Sequence, residues 1–197
     1  SRAELNALLF NTSAAGLAVA GTCGKSTVTG MLGWILEATG REPTIMNGAV
    51  MKNFVTPERP LASAVAGSPS LYLSEVDESD GSIALYHPAV GVLLNVSLDH
   101  KSMEELRDLF GDFLERSQIA AINADDGEAL ALLPRAKKAI TFGIAQDDAH
   151  IGVMRGSALD EPTRQFATVI DRRDVSEHPL SLAVPGRHNL SNALAAI

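Results

Sequence analysis

The stretch GLAVAGTCGKST occupies residues 16–27 and decides the fold. Residues 16–20 form a short apolar run that is typical of a buried strand, and the glycines that follow interrupt it. From Lys25 to about Thr39 the sequence predicts a helix with apolar residues on one side and Gly40 at its C-terminal cap. A strand, a glycine-rich loop and a helix in this order are the parts of a phosphate-binding unit.

The loop and the start of the helix carry the candidate phosphate ligands. Glycines allow backbone N–H groups to converge on an anion, and a helix N-terminus adds its dipole. In such loops the lysine, here Lys25, contacts the β- and γ-phosphates, and the next hydroxyl, here Ser26, binds Mg²⁺. The longer Walker pattern has a glycine where this chain has Val19, so the match is to the shorter form G-T-x-G-K-[ST]. The alternative is a glycine-rich turn with an exposed lysine. The predicted nucleotide-binding residues are Gly21, Thr22, Cys23, Gly24, Lys25, Ser26 and Thr27.

Strand and helix patterns alternate up to about residue 142. This alternation favours an α/β fold of the P-loop type, with a doubly wound, mainly parallel sheet and helices on both faces. From about residue 151 to 184 the pattern lacks helices and predicts a small antiparallel β-sheet attached to the main sheet. Strands are predicted at 16–20, 44–46, 71–73, 90–96, 119–122, 139–142, 151–155, 166–171 and 180–184, and helices at 2–10, 25–39, 103–116 and 128–133.

An acidic segment follows the predicted strand 71–73. Ligands of nucleotide-binding sheets lie beyond the carboxyl ends of the strands. A carboxylate in that position can hold the Mg²⁺ that bridges ATP phosphates, so Glu75 is a predicted magnesium ligand. The alternative is that Glu75, Asp77, Glu78 and Asp80 form a solvated acidic loop.

A histidine lies beside a carboxylate after the next buried strand, in the sequence NVSLDH at 95–100. His100 and Asp99 at a strand's carboxyl end can bind a metal or position a phosphate. A His-Asp pair of this kind can also be an ordinary loop. Taken alone, this pattern favours the ordinary loop.

The sequence PGRHNLSN at 185–192 offers groups for a nucleobase. Asparagine presents a donor and an acceptor, which match the N6/N7 edge of adenine. The alternative is that Asn189 or Ser191 caps the N-terminus of a helix. Both interpretations stay open at this point.

Composition excludes several classes of partner. The net charge of −8 disfavours nucleic acid and anionic membranes. One cysteine rules out an internal disulfide framework, and neither a membrane span nor a signal peptide is visible. The sequence predicts a cytoplasmic protein without membrane insertion. Because the chain opens with Ser1 rather than Met, we expect it to be a fragment of a longer protein.

Four motifs together resemble the Mur ligase family, most closely the branch that joins L-alanine to UDP-N-acetylmuramate in peptidoglycan precursor synthesis. The resemblance spans nearly the whole chain and implies that residues 1–197 are the central ATP-binding domain. It also implies an N-terminal UDP-sugar domain and a C-terminal amino-acid-binding domain in the full-length protein. The motifs are AGTCGKST at 20–27, SEVDESD at 74–80, NVSLDH at 95–100 and GRHNLSNALAAI at 186–197.

The resemblance implies an ATP-dependent ligase that forms C–N bonds, with ATP and Mg²⁺ as cofactors. A carboxylate of the UDP-sugar takes the γ-phosphoryl group, and an amino acid captures the resulting acyl phosphate. No ligase turnover is expected from the 197-residue chain alone, and its oligomeric state is left open. The implied catalytic residues are Lys25, Glu75 and His100. Ser26 and Glu75 bind one Mg²⁺, His100 contributes to a second Mg²⁺ near the γ-phosphate and the acceptor carboxylate, and His188, Asn189 and Asn192 frame the adenine.

Departures from the family pattern keep other functions open. The muramate–alanine branch usually has histidine in place of Cys23 and threonine in place of Ser26. A related Mur-type ligase with another acceptor is one alternative: a muropeptide ligase, or one like cyanophycin synthetase or folylpolyglutamate synthetase. A nucleotide-binding domain without catalysis is another, and retention of Lys25, Glu75 and His100 argues against it. Cys23 is either a small loop residue or a redox-sensitive one.

Overall fold

The structure is a computed structural model that describes residues 1–99 and 101–197. His100, a predicted metal ligand, lies outside the described residues. Helices in the described part are α1 Arg2–Thr12, α2 Lys25–Ala38, α3 Met103–Arg116, α4 Gly127–Ala131 and α5 Arg187–Ala196. The strands are β1 Ala15–Ala20, β2 Pro43–Met46, β3 Ala64–Val65, β4 Ser68–Glu75, β5 Val90–Leu93, β6 Ile119–Asn123, β7 Ala139–Gly143, β8 Ile151–Val153, β9 Leu159–Asp160, β10 Gln165–Asp171 and β11 Ser176–Leu182.

These strands form one sheet with the order β11-β10-β8-β7-β6-β5-β1-β4-β2-β3, and β9 pairs with β10. Strand β1 lies in the middle, parallel to β4 on one side and to β5 on the other. The parallel part runs from β2 to β8. The predicted doubly wound, mainly parallel sheet is therefore confirmed.

The predicted antiparallel part is present, and it continues the main sheet. Strand β8 pairs in parallel with β7 through Phe142 and Ile151. Strand β10 then pairs antiparallel with both β8 and β11. Because β7 would otherwise expose a row of unpaired backbone groups, the added strands extend the sheet at that edge.

Helices cover both faces of the sheet, as the sequence predicts. Side chains alternate between the faces along a strand, so Val19 of β1 points to one face and Ala18 to the other. On the first face α2 and α5 bury Val28 and Leu190 against the strands. On the second face α1, α3 and α4 bury a large apolar cluster. Its fully buried Phe110 is among the side chains whose burial contributes about 1.5–3 kcal/mol each.

Two element boundaries differ from the sequence prediction at the edge that carries the motifs. Strand β5 was expected to reach residue 96 but ends at Leu93, because the chain beyond Leu94 turns toward the end of β1 and bonds to its loop. Helix α5 begins at Arg187, and Gly186 is its N-cap. The first change brings polar backbone close to residues 21–24.

The longest helices, α2 and α3, contain 14 residues each. A membrane-spanning helix needs about 20 mostly apolar residues. Across residues 1–99 and 101–197, no helix combines the length and the apolarity that a membrane crossing requires.

Candidate functional site

Three of the four sequence motifs meet at the carboxyl end of β1. Strands β2, β3 and β4 lie on one side of β1, and the chain then crosses to β5 on the other side, so the strand order reverses here. Open α/β sheets bind ligands at such a reversal point. Residues 21–24 leave β1 at this edge, Glu75 ends β4, and residues 94–99 follow β5.

Two glycines give the loop its shape. Gly21 and Gly24 have φ values of 135° and 88°, a region that residues with a side chain rarely adopt. Gly24 is also the N-cap of α2, and no side chain caps that helix end. A Cβ at Gly24 would lie 2.9 Å from Oδ1 of Asn192 in α5. The first turn of α2 therefore presents its unpaired N–H groups to the cavity beside the loop.

The segment after β5 holds the loop in place. Asn95 Oδ1 accepts a hydrogen bond from the Cys23 amide at 2.8 Å, and Asn95 Nδ2 donates one to the Cys23 carbonyl at 2.9 Å. The Thr22 amide donates to the Asn95 carbonyl at 3.2 Å, and the Ser97 amide donates to Thr22 Oγ1 at 3.0 Å. Asn95 belongs to the motif NVSLDH, but the motif alone does not predict this role.

Lys25, the predicted phosphate ligand, makes an ion pair in this structure. Its Nζ donates to Glu78 Oε2 at 2.9 Å and Oε1 at 3.2 Å, and to the Gly21 carbonyl at 2.8 Å. The side chains of Lys25 and Glu78 are 14% and 6% exposed. Sequence reasoning placed Glu78 in the acidic run but gave it no separate role. Because solvent has little access, this pair is screened much less than a surface ion pair.

A cavity of about 250 Å³ lies beside the loop. Glu75 faces it from the end of β4, and Glu75 Oε2 accepts a hydrogen bond of 2.7 Å from the Gly48 amide. A Cβ at Gly48 would lie 2.8 Å from that oxygen, so a side chain at this position would displace the Glu75 carboxylate. The cavity brings together most of the predicted phosphate and metal ligands: it is lined by Thr22, Gly24, Lys25, Ser26, Thr27 and Glu75.

The donors in this cavity fit Mg²⁺ bound together with phosphates. Mg²⁺ prefers oxygen ligands and keeps most of its positions for water and substrate phosphates. Ser26 supplies a hydroxyl and Glu75 a carboxylate at the same cavity. Within the described ranges, no group of three or more His, Cys, Asp and Glu side chains is arranged to hold a metal.

Two further cavities adjoin the phosphate-side cavity. One of about 330 Å³ shares Ser26 with it and includes Trp34 and Phe54, whose rings meet edge to face at 5.8 Å. The other, of about 270 Å³, shares Glu75 and includes Asp80. Hydrogen bonds from Ser82 lower the pKa of Asp80, so its carboxylate is charged at neutral pH. The phosphate-side cavity thus adjoins one largely apolar cavity and one acidic cavity.

The three predicted adenine ligands lie at different places along the first turns of α5. His188 lines a cavity of about 400 Å³ together with Asp125. Asn189 Nδ2 donates to the Pro185 carbonyl at 2.7 Å, and Asn192 contacts the loop at Gly24. The alternative that Asn189 or Ser191 caps this helix is wrong, because Gly186 is the N-cap and no side chain bonds there.

Comparison with known proteins agrees with this arrangement. The family model of the Mur ligase middle domain matches residues 19–197. The chain belongs to the Mur ligase middle domain family. Over its full length this middle domain is 35% identical to the UDP-N-acetylmuramate–L-alanine ligase of Geobacter sp. (strain M21), of which it covers 42%. The chain therefore spans less than half the length of this curated relative.

Solved structures show the same fold. The UDP-N-acetylmuramate–alanine ligase of Thermotoga maritima superimposes with a TM-score of 0.75 at 26% identity, over 91% of this middle domain and 39% of that chain. The MurF ligase of Thermotoga maritima, solved in complex with ADP, superimposes with a TM-score of 0.72 at 18% identity. That match covers 98% of this chain and 47% of the other.

Proposed function

We propose that this middle domain binds ATP with Mg²⁺ and serves an ATP-dependent ligase that joins an amino acid to a carboxylate. The observation that carries the proposal is the cavity at the reversal point of the sheet, where Lys25, Ser26 and Glu75 lie together. The loop amides and Lys25 bind the phosphates, since glycine-rich loops before a helix favour anions. Ser26 and Glu75 would hold one Mg²⁺, and His100 would contribute to a second; the bound ions would neutralise phosphate charge.

The nucleotide extends from the loop toward α5. Asn192 lies against Gly24, so the middle of α5 and the phosphate loop are neighbours. We place the adenine in the cavity of about 400 Å³ that His188 lines. Asp125 shapes this cavity because its carboxylate accepts hydrogen bonds from the Ile144 and Ala145 amides. Asn189 and Asn192 support the part of α5 that lies beside the adenine.

The proposed reaction has two steps, a phosphoryl transfer followed by an acyl transfer. The acceptor carboxylate attacks the γ-phosphorus of ATP, the bond to the bridging oxygen breaks, and ADP leaves. An amine then attacks the acyl carbon, loses a proton, and phosphate leaves. This domain offers no nucleophile for either step; Lys25 and the N-terminus of α2 stabilise charge that develops on the transferred phosphoryl group.

The named relatives suggest the substrates. The Geobacter and Thermotoga ligases are named for UDP-N-acetylmuramate and L-alanine, and we propose the same pair for the longer protein that contains this chain. Since the chain covers 42% of the Geobacter ligase, the UDP-sugar and amino acid would be bound largely by flanking domains. Use of ATP fits the cytoplasmic location that the sequence predicts.

Titration with a non-hydrolysable ATP analogue tests the nucleotide site. We expect binding that depends on Mg²⁺ and that weakens about tenfold in Ser26→Ala, the loss expected for one polar contact. Ser70→Ala is the matched control, because Ser70 is exposed near the start of β4 and lies outside the phosphate cavity. Equal affinities in Ser26→Ala and Ser70→Ala would remove Ser26 from the proposed Mg²⁺ site.

Turnover tests the substrates in the longer protein. ADP release in the presence of UDP-N-acetylmuramate is expected to require L-alanine, and the 197-residue chain alone is expected to release none. Replacing L-alanine with glycine, L-serine or an acidic amino acid measures the choice of amine. Faster turnover with another acid or amine would overturn the proposed pair while leaving the ligase chemistry in place.

A further inference from the structure

The ammonium of Lys25 is fully engaged by protein groups. An ammonium has three N–H donors. Gly21 offers its carbonyl at 2.8 Å, and the two carboxylate oxygens of Glu78 lie at 2.9 and 3.2 Å. The Lys25 ammonium, which would contact the phosphates of a nucleotide, is therefore already bound to the Glu78 carboxylate.

We propose that Glu78 is a positioning residue that holds Lys25 and competes with the nucleotide phosphates for its ammonium. The inference rests on the proposed ATP site and adds a determinant of its affinity. The side chains of both partners are nearly buried. Water therefore cannot solvate either charge when the pair breaks, and each charge then needs another partner.

Competition follows from the charges involved. A phosphate oxygen that takes the ammonium must displace at least one Glu78 oxygen, because the third donor is bound to Gly21. The apparent affinity of a ligand falls by the fraction of protein that is competent to bind it. If Lys25 is free of Glu78 for about a tenth of the time, the apparent affinity is about tenfold weaker than that of the free loop.

The neighbouring carboxylates do not share this role. Asp77 and Asp80 are exposed and accept hydrogen bonds from the Ser79 and Ser82 amides. Glu75 is bound to the Gly48 amide. Glu78 is 4% exposed, and its carbonyl accepts a hydrogen bond from the Gly81 amide, which fixes the turn that carries it. Glu78 thus differs from the rest of the acidic segment in burial and in partner.

The test compares nucleotide affinity in Glu78→Gln, Glu78→Asp and Asp80→Asn. Glu78→Gln keeps the shape of the side chain and removes its charge, so we expect ADP with Mg²⁺ to bind about tenfold more tightly. Glu78→Asp withdraws the carboxylate from Lys25, so a smaller gain in the same direction is expected. Asp80→Asn removes one charge from the same segment without touching Lys25 and should leave the affinity for ADP unchanged. Adenosine, which has no phosphate, should bind all four proteins equally.

The possible outcomes separate this inference from the proposed function. Gains in ADP affinity that are equal in Glu78→Gln and Asp80→Asn would reveal a general effect of charge and overturn the competition. If ADP binding is unchanged or weaker in both Glu78 variants, while wild-type binding depends on Lys25, the proposed competition is overturned and the proposed ATP site stands. Absence of ADP binding in every variant, Glu78→Gln included, would overturn the ATP site together with it. Thermal melts show whether each variant is folded, and Glu78→Asp carries the test if Glu78→Gln is not.

Discussion

The side chain of Asn95 makes two hydrogen bonds to the backbone of Cys23, accepting from its N–H at 2.8 Å and donating to its carbonyl at 2.9 Å. The two residues are 72 positions apart in the sequence. Glycines permit the shape of the phosphate loop, but they do not select it. The end of the neighbouring strand β5 selects it through these hydrogen bonds, so the loop is ordered before any phosphate binds.

Replacing Asn95 is therefore expected to weaken nucleotide binding without unfolding the protein. Asn95→Ala removes both hydrogen bonds to Cys23 and should weaken binding of the ATP analogue about tenfold, while the free energy of unfolding falls by about 1–2 kcal/mol. Titration calorimetry and urea denaturation measure the two effects.

Asn11 provides the matched control for Asn95. Its side chain also makes two hydrogen bonds to backbone, donating to the Leu85 carbonyl at 2.8 Å and accepting from the His87 amide at 3.0 Å. These hydrogen bonds lie away from the phosphate loop, so Asn11→Ala should lower stability by a similar amount and leave nucleotide affinity unchanged. Similar losses of affinity in the two variants would show that Asn95 acts through global stability only.

The Lys25–Glu78 pair also predicts a non-additive effect on stability. Lys25→Met leaves Glu78 buried without a partner and should cost about 3–5 kcal/mol. Glu78→Gln leaves Lys25 with the Gly21 carbonyl and should cost about 1–3 kcal/mol. The double variant is expected to be more stable than the sum of the single losses predicts, by about 1–3 kcal/mol. Urea denaturation of the wild type, the two single variants and the double variant measures all four stabilities of this double-mutant cycle. Additive losses would contradict a coupled pair. Nucleotide binding by a Lys25 variant is best measured in the double variant.

The fold was predictable where the pattern of apolar residues is local. The buried parallel strands and the helices between them are visible because each carries its own periodicity. Strand β11 was placed at 180–184, whereas it occupies Ser176–Leu182. It lies at the edge of the sheet, mostly exposed, with polar residues and Pro179. Edge strands tolerate both proline and charge, so the apolar signal that marks an inner strand is missing.

The site was predictable only in part, because much of it is made between segments. Lys25, Ser26 and Glu75, which line one cavity, could be predicted as site residues because a loop motif and a strand end point to them without knowledge of their neighbours. Glu78 is 53 positions from Lys25, and nothing in a run of acidic residues shows which carboxylate is turned inward. Asn95 likewise acquires its role through contact with Cys23. Long-range pairing, rather than local pattern, decides these contacts.

Two glycines of α2 are predicted to respond in opposite ways to alanine. A Cβ at Gly30 would meet its nearest atoms at 3.8 and 3.9 Å, which is ordinary contact. Gly30→Ala should therefore raise stability by about 0.5–1 kcal/mol, since alanine favours a helix. A Cβ at Gly33 would lie 2.8 Å from Cδ1 of the fully buried Ile45. Gly33→Ala should lower stability by about 1–3 kcal/mol through overpacking. Thermal denaturation of the pair tests both signs, and a gain at Gly33 would show that Ile45 can move aside.

Cys23 offers a direct chemical probe of the phosphate loop. It is the one cysteine of the 197-residue sequence and its side chain is exposed. Bound phosphates would cover this part of the loop, so the ATP analogue with Mg²⁺ should slow alkylation of Cys23 by iodoacetamide. At a ligand concentration of ten times Kd the rate should fall about tenfold, in proportion to the free protein. Mass spectrometry measures the rate, and glutathione in the same reaction controls for quenching of the reagent.

A Cys23→Ser variant distinguishes the two interpretations of Cys23, as a small loop residue or as a redox-sensitive one. Asn95 contacts Cys23 through backbone atoms only, so the thiol is not needed to order the loop. Cys23→Ser should bind the ATP analogue with unchanged affinity, as expected for a small loop residue, and should lose any sensitivity of binding to peroxide. If Cys23→Ser bound nucleotide much more weakly, the side chain itself would belong to the site. Alkylation at the same rate with and without saturating nucleotide would place the phosphates away from residues 21–24.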